Sequence, residues 1–202
     1  MFKIYVFLGK TGVGKSAIYQ AVKGLIAPDD NISEIIMHTT RPKRKGEVDG
    51  VDYHFDTKDE ILKLYADHKL AELRSYKVDS ADDDFWYYGT PDMKDKSRVY
   101  ILGNSTALSC MSLIEKYGRD IVKPIFITCD EYLRLERLLK REHDSGNSNY
   151  KEMIRRIYND NLDYDDEILS EFGIDMKFDN SEIYIDKCAS DVYNYIKKNM
   201  NE

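Results

Sequence analysis

Cysteine is scarce in this 202-residue chain: Cys110, Cys129 and Cys188 are odd in number, and none stands in a C-x-x-C pair. That excludes a disulfide framework and offers no zinc site of the usual spacing. No apolar run approaches the ~18–20 residues that a membrane span needs. The opening run, MFKIYVFLG, passes straight into a glycine-rich segment. A signal peptide would need a longer apolar stretch and a small-residue cleavage site. The expectation is a cytoplasmic protein with no membrane association. Positive charge is in deficit too, since 30 Lys+Arg face 37 Asp+Glu for a net −7. This argues against nucleic acid as a partner held by a basic surface, though not against a local basic pocket for a small anion. Internal repeats and low-complexity tracts are missing as well.

What is present is an alternation of apolar β-rich runs and helical spacings. Phe2–Leu8 reads as a buried strand, and Ala17, Ile18, Ala21, Val22 and Leu25 give helical spacing over Lys15–Ile26, ended by Pro28. Residues 39–56 read as loop and short strands. A short helix is expected over Lys58–His68, and β-like runs over Lys69–Val78 and Phe85–Thr90 flank an acidic loop, Asp79–Asp84. Arg98–Leu102 and Asp120–Thr128 read as strands, with a helix over Ser105–Tyr117 between them. Asp130 suits the N-cap of a helix through Arg141; Glu142–Asn149 reads as a mobile loop, and Tyr150–Glu171 as one long helix. A strand near Ile174–Phe178 and a C-terminal helix through Val192, Tyr195 and Ile196 complete the chain. The order implies one α/β domain with a mostly parallel sheet flanked by helices.

Residues 9–16, GKTGVGKS, fit the pattern G-x-x-x-x-G-K-[ST] between a strand and a helix. In Gly9, Lys10, Thr11, Gly12, Val13 and Gly14, glycines let backbone N–H groups curl around phosphate oxygens. Lys15 reaches the outer phosphates, the Ser16 hydroxyl suits Mg²⁺, and the following helix points its positive end at the same anion. A nucleoside triphosphate with Mg²⁺ is the expected ligand.

Arg41 and Arg44, three apart around Pro42, form a second candidate anion site with Tyr53. On its own, RPKR reads more readily as a solvated basic turn. The full string TTRPKRKGEVDGVDYHF resembles the substrate loop of guanylate kinases, which pass a phosphoryl group from ATP to GMP. The resemblance extends along most of the chain. It implies a P-loop NTPase fold with a small mixed β monophosphate-binding region and a helical lid. It implies a core at about 1–36, 98–138 and 158–202, the monophosphate region at about 37–97 and the lid at about 139–157. Arg41, Arg44 and Tyr53 would bind the GMP phosphate. Glu72, followed by Tyr88 and Thr90 in WYYGT, would read the base; alone, Glu72 reads as an ordinary strand carboxylate. Arg134, Arg137 and Arg141 share a helical face, and Arg155 and Arg156 follow the polar loop. Of these, the resemblance makes Arg137, Arg141 and Arg156 phosphate contacts and places Asn180 at the adenine edge.

Three departures from the family pattern stand out. Met37 stands where a small hydroxyl residue touches the base. Gly103 and Ser105 stand where a strand supplies two aspartates. The acidic stretch at 79–84 lengthens a hairpin. The resemblance implies GMP or dGMP as acceptor and a monomer or homodimer. The alternatives are a kinase of the same fold acting on another nucleoside or sugar phosphate, and a non-catalytic guanylate-kinase-like module. The intact P-loop argues against the module, and the lack of an NKxD segment argues against a GTPase switch.

Overall fold

The structure is a computed structural model, described over residues 2–77, 85–146, 148–171, 173–174, 176–182 and 185–200. The acidic stretch at 79–84 lies outside these residues. The main sheet has five strands in the order β2 (Ile32–Glu34), β7 (Val99–Leu102), β1 (Lys3–Leu8), β8 (Val122–Thr128) and β9 (Lys177–Asp179). Every pairing in it is parallel.

β1 is buried along its whole length, and its alternation divides the two faces of the sheet. Ile4, Val6 and Leu8 face a core completed by α3 (Ala107–Tyr117) and α6 (Asp166–Glu171), through residues such as Cys110, Leu113 and Leu169. Tyr5 and Phe7 face a second core with α1 (Lys15–Leu25) and α7 (Ile185–Asn199), through Ile18, Val22, Val192 and Ile196. Because β1 is central and β7 and β8 flank it, the loop leaving β1 opens at the carboxyl edge of the sheet, where such folds take ligands.

The second sheet is mixed, in the order β4 (His54–Phe55), β3 (His38–Thr39), β6 (Phe85–Pro91) and β5 (Leu70–Lys77). β3 pairs with β4 in parallel and with β6 antiparallel; β5 and β6 are antiparallel. α2 (Lys58–Ala66) packs against β5 and β6. Its start is fixed by a capping box: Thr57 Oγ1 accepts from Glu60 N, while the Glu60 carboxylate accepts from Thr57 N.

Three sequence expectations need correction. The single helix expected over 150–171 is two, α5 (Tyr150–Asp163) and α6. Tyr164 leaves helical geometry to pack on Phe126, and Asp165 Oδ1 takes the Ile168 N–H, so the chain restarts on a new cap. The loop expected from Glu142 begins later, because α4 (Glu131–Asp144) continues through three residues with no apolar signal. Glu142 then organises the turn, accepting from Ser148 Oγ and Asn149 N. The strand expected near 174–178 falls at β9, where pairing with β8 sets it, and β2 was not anticipated. Among the described residues, no helix is long and apolar enough to cross a membrane.

Thr57→Ala removes one half of the capping box without touching the core. It should cost about 1 kcal/mol and lower Tm by roughly 2–4 °C for a chain of this size. Thr57→Ser should retain most of the stability in the same thermal melts.

Candidate functional site

The loop after β1 wraps around backbone donors at a turn that only glycine adopts with ease. Gly14 caps α1 at φ +89°, and a Cβ there would stand 2.3 Å from Asn180 Nδ2. Asn180 is buried, and its amide donates to Val13 O at 2.8 Å. The side chain expected at an adenine edge therefore also braces the loop from beneath. Arg137 donates to Asn180 O through both Nη atoms at 3.2 Å.

A clamp from the helical region holds the other end of the loop. Asp160 on α5 accepts from Thr11 N at 2.7 Å and from Thr11 Oγ1 at 3.2 Å. Arg134, only 1% exposed, donates to Thr11 O at 2.9 Å and is held by a two-point bond to Glu131 at 2.6 and 2.8 Å. Burial raises the Asp160 carboxyl above the usual carboxylate range, although the Thr11 bonds and the Arg134 charge oppose the shift. Neither residue was chosen from the sequence. Arg134 belonged to the recognised arginine stripe, but nothing in its spacing separates a buried member from an exposed one.

Two cavities open from the sheet edge. The larger, about 480 Å³, is lined by P-loop residues with Ser105, Thr106, Arg137, Arg141, Asp160 and Tyr164. The smaller, about 310 Å³, is lined by Tyr19, Glu34, Arg41, Arg44, Tyr53 and Tyr88 among others. Ser16 lines both, so they meet at the P-loop hydroxyl. Lys15 lies at the same junction. Its Nζ donates to Gly103 O at 2.7 Å, and burial lowers its ammonium pKa to about 8.

In the smaller cavity, Arg41 is 4% exposed and forms a two-point bond to Glu47 at 2.7 and 3.0 Å. Its guanidinium lies 5.4 Å from the Tyr53 ring centre and 5.7 Å from that of Phe55. Glu47 also accepts from Arg44 N at 2.7 Å, so one carboxylate shapes the whole basic turn. Glu72 is buried on β5, opposite Thr90 of β6, whose hydroxyl donates to Oε1 at 2.5 Å. Ser109 of α3 donates to the same oxygen at 3.3 Å and Arg74 at 2.5 Å. Ser109 and Arg74 were both missed. The period of two in a strand puts Arg74 on the face of Glu72 and was the available signal; no local signal marks Ser109.

Of the predicted residues, Glu72, Thr90, Asn180 and Arg156 line neither cavity: the first three are buried, and Arg156 is half-buried on α5, where it donates to Glu152 at 2.9 Å. The departure at 103 also has a local cause. A Cβ on Gly103 would stand 2.5 Å from the Tyr19 ring, whose hydroxyl donates to Glu34 at 2.8 Å. Tyr19 fills the space that a side chain at 103 would need, and the hydrogen-bonded Glu34 carboxylate lines the same cavity. Met37 is buried and brings no polar group.

The residues fit a nucleotide with its metal in one respect: Ser16 is exposed at the junction of the cavities. The described residues contain no group of three or more His, Cys, Asp or Glu arranged for a metal ion.

A strand, a glycine-rich loop and a helix at the edge of a parallel sheet, meeting a second cavity lined by Arg41 and Arg44 beside a small mixed sheet, define a P-loop α/β fold. Residues 1–90 match the family model described as guanylate kinase. The chain is 41% identical over 88 residues to the guanylate kinase of Bacillus subtilis (strain 168), an alignment covering 44% of this chain and 39% of that protein. It is 39% identical over 88 residues to the guanylate kinase of Streptococcus agalactiae serotype III (strain NEM316), covering 44% of this chain and 38% of the relative. The match thus spans about two-fifths of the length of these curated relatives. The fold agrees over the whole chain with the crystal structure of guanylate kinase from Anaplasma phagocytophilum: TM-score 0.67, 20% identity, 100% of this chain and 87% of the other. The chain has the guanylate kinase fold throughout, and its first 90 residues carry that family's sequence pattern.

Gly103→Asp would restore the family's aspartate but drive it against Tyr19. It should destabilise the fold by about 1–3 kcal/mol through overpacking. Adding Tyr19→Ser should recover part of that loss in urea unfolding. Wild-type stability in the single variant would show that the ring has room to move.

Proposed function

We propose that the chain is a guanylate kinase, transferring the γ-phosphoryl group of ATP to the phosphate of GMP or dGMP. The observation that carries this reading is the meeting of two anion cavities at Ser16, one built by the P-loop and the other by Arg41, Arg44 and Tyr53. Such a junction sets donor and acceptor phosphates facing each other, and phosphoryl transfer is mostly positioning and charge stabilisation.

In this reading Lys15 leaves Gly103 O for the donor phosphates, and the loop amides hold their oxygens. Ser16 would hold Mg²⁺, which would supply charge neutralisation. Arg41, Arg44 and Tyr53 fix the acceptor phosphate, and Glu72, Tyr88 and Thr90 hold the base. The acceptor oxygen is already anionic and needs no general base. It bonds to the γ-phosphorus as the bond to the bridging β-oxygen breaks, and that electron pair leaves with ADP. Arg137 and Arg141 line the donor cavity, and Asn180 braces the loop towards the adenine side. Arg156 joins them when the segment at about 139–157 closes as a lid over the core, with residues 37–97 forming the monophosphate region. Closure exchanges Glu152 for phosphate as its partner.

Coupled measurement of ADP release with GMP, dGMP, AMP, UMP and CMP tests the reading; a preference for AMP or a pyrimidine nucleotide would overturn guanine as the acceptor. Arg41→Lys keeps the charge but loses the planar fork. It should raise KM for GMP severalfold while leaving KM for ATP nearly unchanged, and an equal effect on both would count against the assignment.

A pH profile provides an independent check. Lys15 must be protonated to hold phosphate, and its lowered pKa leaves it increasingly neutral above about 8 in the free protein. kcat/KM for ATP should therefore fall as pH rises through about 8. kcat should persist to higher pH, because bound phosphates favour the ammonium form. A kcat/KM that stays flat to pH 9.5 would exclude this role for the lysine.

A further inference from the structure

Behind Tyr88, which lines the acceptor cavity, lies a buried pair that the proposed reaction only half accounts for: Glu72 and Arg74, neither of which lines the cavity itself. Arg74 lies on β5 two residues after Glu72, so both side chains leave the same face of the strand. Its side chain is 8% exposed, and its guanidinium lies 5.7 Å from the ring centre of Tyr88, the residue directly opposite on β6. Tyr88 in turn lines the acceptor cavity and meets Tyr53 edge-on at 6.2 Å. Arg74 Nη1 donates to Glu72 Oε1. Nε is buried and meets no acceptor among the described residues. A buried guanidinium nitrogen without a partner is costly, and such groups call for an explanation.

The pair also changes what Glu72 offers. Arg74, Thr90 and Ser109 all donate to Oε1, and among the described residues no hydrogen bond to Oε2 accompanies them. The face therefore presents one carboxylate oxygen as acceptor beside a guanidinium with donors to spare. A purine edge that places N1–H on the carboxylate carries its 6-oxo oxygen on one side and, in guanine, its 2-amino group on the other. The 2-amino group is a donor and gains nothing from a guanidinium, whereas the 6-oxo oxygen is an acceptor. Only one orientation satisfies both partners.

We propose that Arg74 is a base-reading residue, donating to the 6-oxo oxygen of the acceptor purine while Glu72 Oε2 accepts from N1–H, so that the two side chains together select a 6-oxopurine monophosphate. This rests on the guanylate kinase reading and adds to it a specificity determinant in the second sheet. Guanidinium donors on purine acceptor atoms are a common mode of base discrimination, worth about ten- to a hundredfold. Because the 2-amino group gains little from this arrangement, IMP becomes an acceptor close to GMP in efficiency.

The test compares kcat/KM and equilibrium binding for GMP, IMP and 2-aminopurine riboside 5′-monophosphate, which lacks the 6-oxo group. The proteins are wild type, Arg74→Ala and Arg74→Lys, the last keeping the ion pair with Glu72 but losing the fork. Thermal melts establish that each variant is folded. Arg74→Ala should weaken GMP and IMP by ten- to a hundredfold, mainly in KM, and leave the 2-aminopurine nucleotide nearly unchanged. Arg74→Lys should lie between. An equal loss on all three nucleotides would make Arg74 a positioning residue for Glu72 alone and overturn the proposal, as would no loss on any. GMP turnover with an unaltered GMP to 2-aminopurine ratio in Arg74→Ala overturns the role of Arg74 but leaves the kinase standing. Failure of the wild-type protein to bind or phosphorylate either 6-oxopurine overturns both.

Discussion

The burial of β1 on both faces is the constraint from which the rest of the structure follows. A strand with no exposed side must sit in the middle of a parallel sheet, with helices covering each face. Once β1 is central, its outgoing loop can open only at the carboxyl edge, between the ends of β7 and β8. The P-loop glycines then curl at that edge against Asn180, and Lys15 reaches the end of the neighbouring strand at Gly103. The phosphate cradle is thus a consequence of core packing one residue upstream of Gly9.

The same economy governs the arginines. Arg41, Arg74, Arg134 and Arg156 are each held by a carboxylate: Glu47, Glu72, Glu131 and Glu152. These pairs do different work because their burial differs. Arg134 is sealed among Glu131, Asp160 and Thr11 and ties the helical region to the P-loop. Arg156 is only half-buried, so its ion pair with Glu152 is reached by solvent and weakly held. Arg41 stands between these cases: buried against Tyr53 and Phe55, it keeps its fork oriented at the cavity wall.

Gly103 shows how a departure from a family pattern becomes intelligible only in three dimensions. As a letter in the sequence it reads as a lost aspartate. In the fold it is the position that Tyr19 leaves no room for, and the Tyr19 hydroxyl holds a carboxylate, Glu34, at the wall of the same cavity. Charge is retained near the site by a residue from a different strand.

The sequence by itself determined the local devices. The apolar run to Leu8, the GKTGVGKS turn, the helix that follows, the Arg41–Arg44–Tyr53 loop and the Glu72–Thr90 strands were all legible, because each is written in contiguous residues through a period or a spacing. Tertiary structure decided whatever depends on which segments meet. Asp160 and Thr11 lie 149 positions apart, Arg137 and Asn180 43 apart, and Ser109 and Glu72 37 apart. The break at Tyr164 arose from its packing on Phe126, and β2 from an edge of β7 that needed a partner. No short-range pattern carries such information. A strand edge or a core surface acts on whatever chain folding brings to it, and satisfying a buried polar or apolar group there outweighs the local preference of the residues concerned.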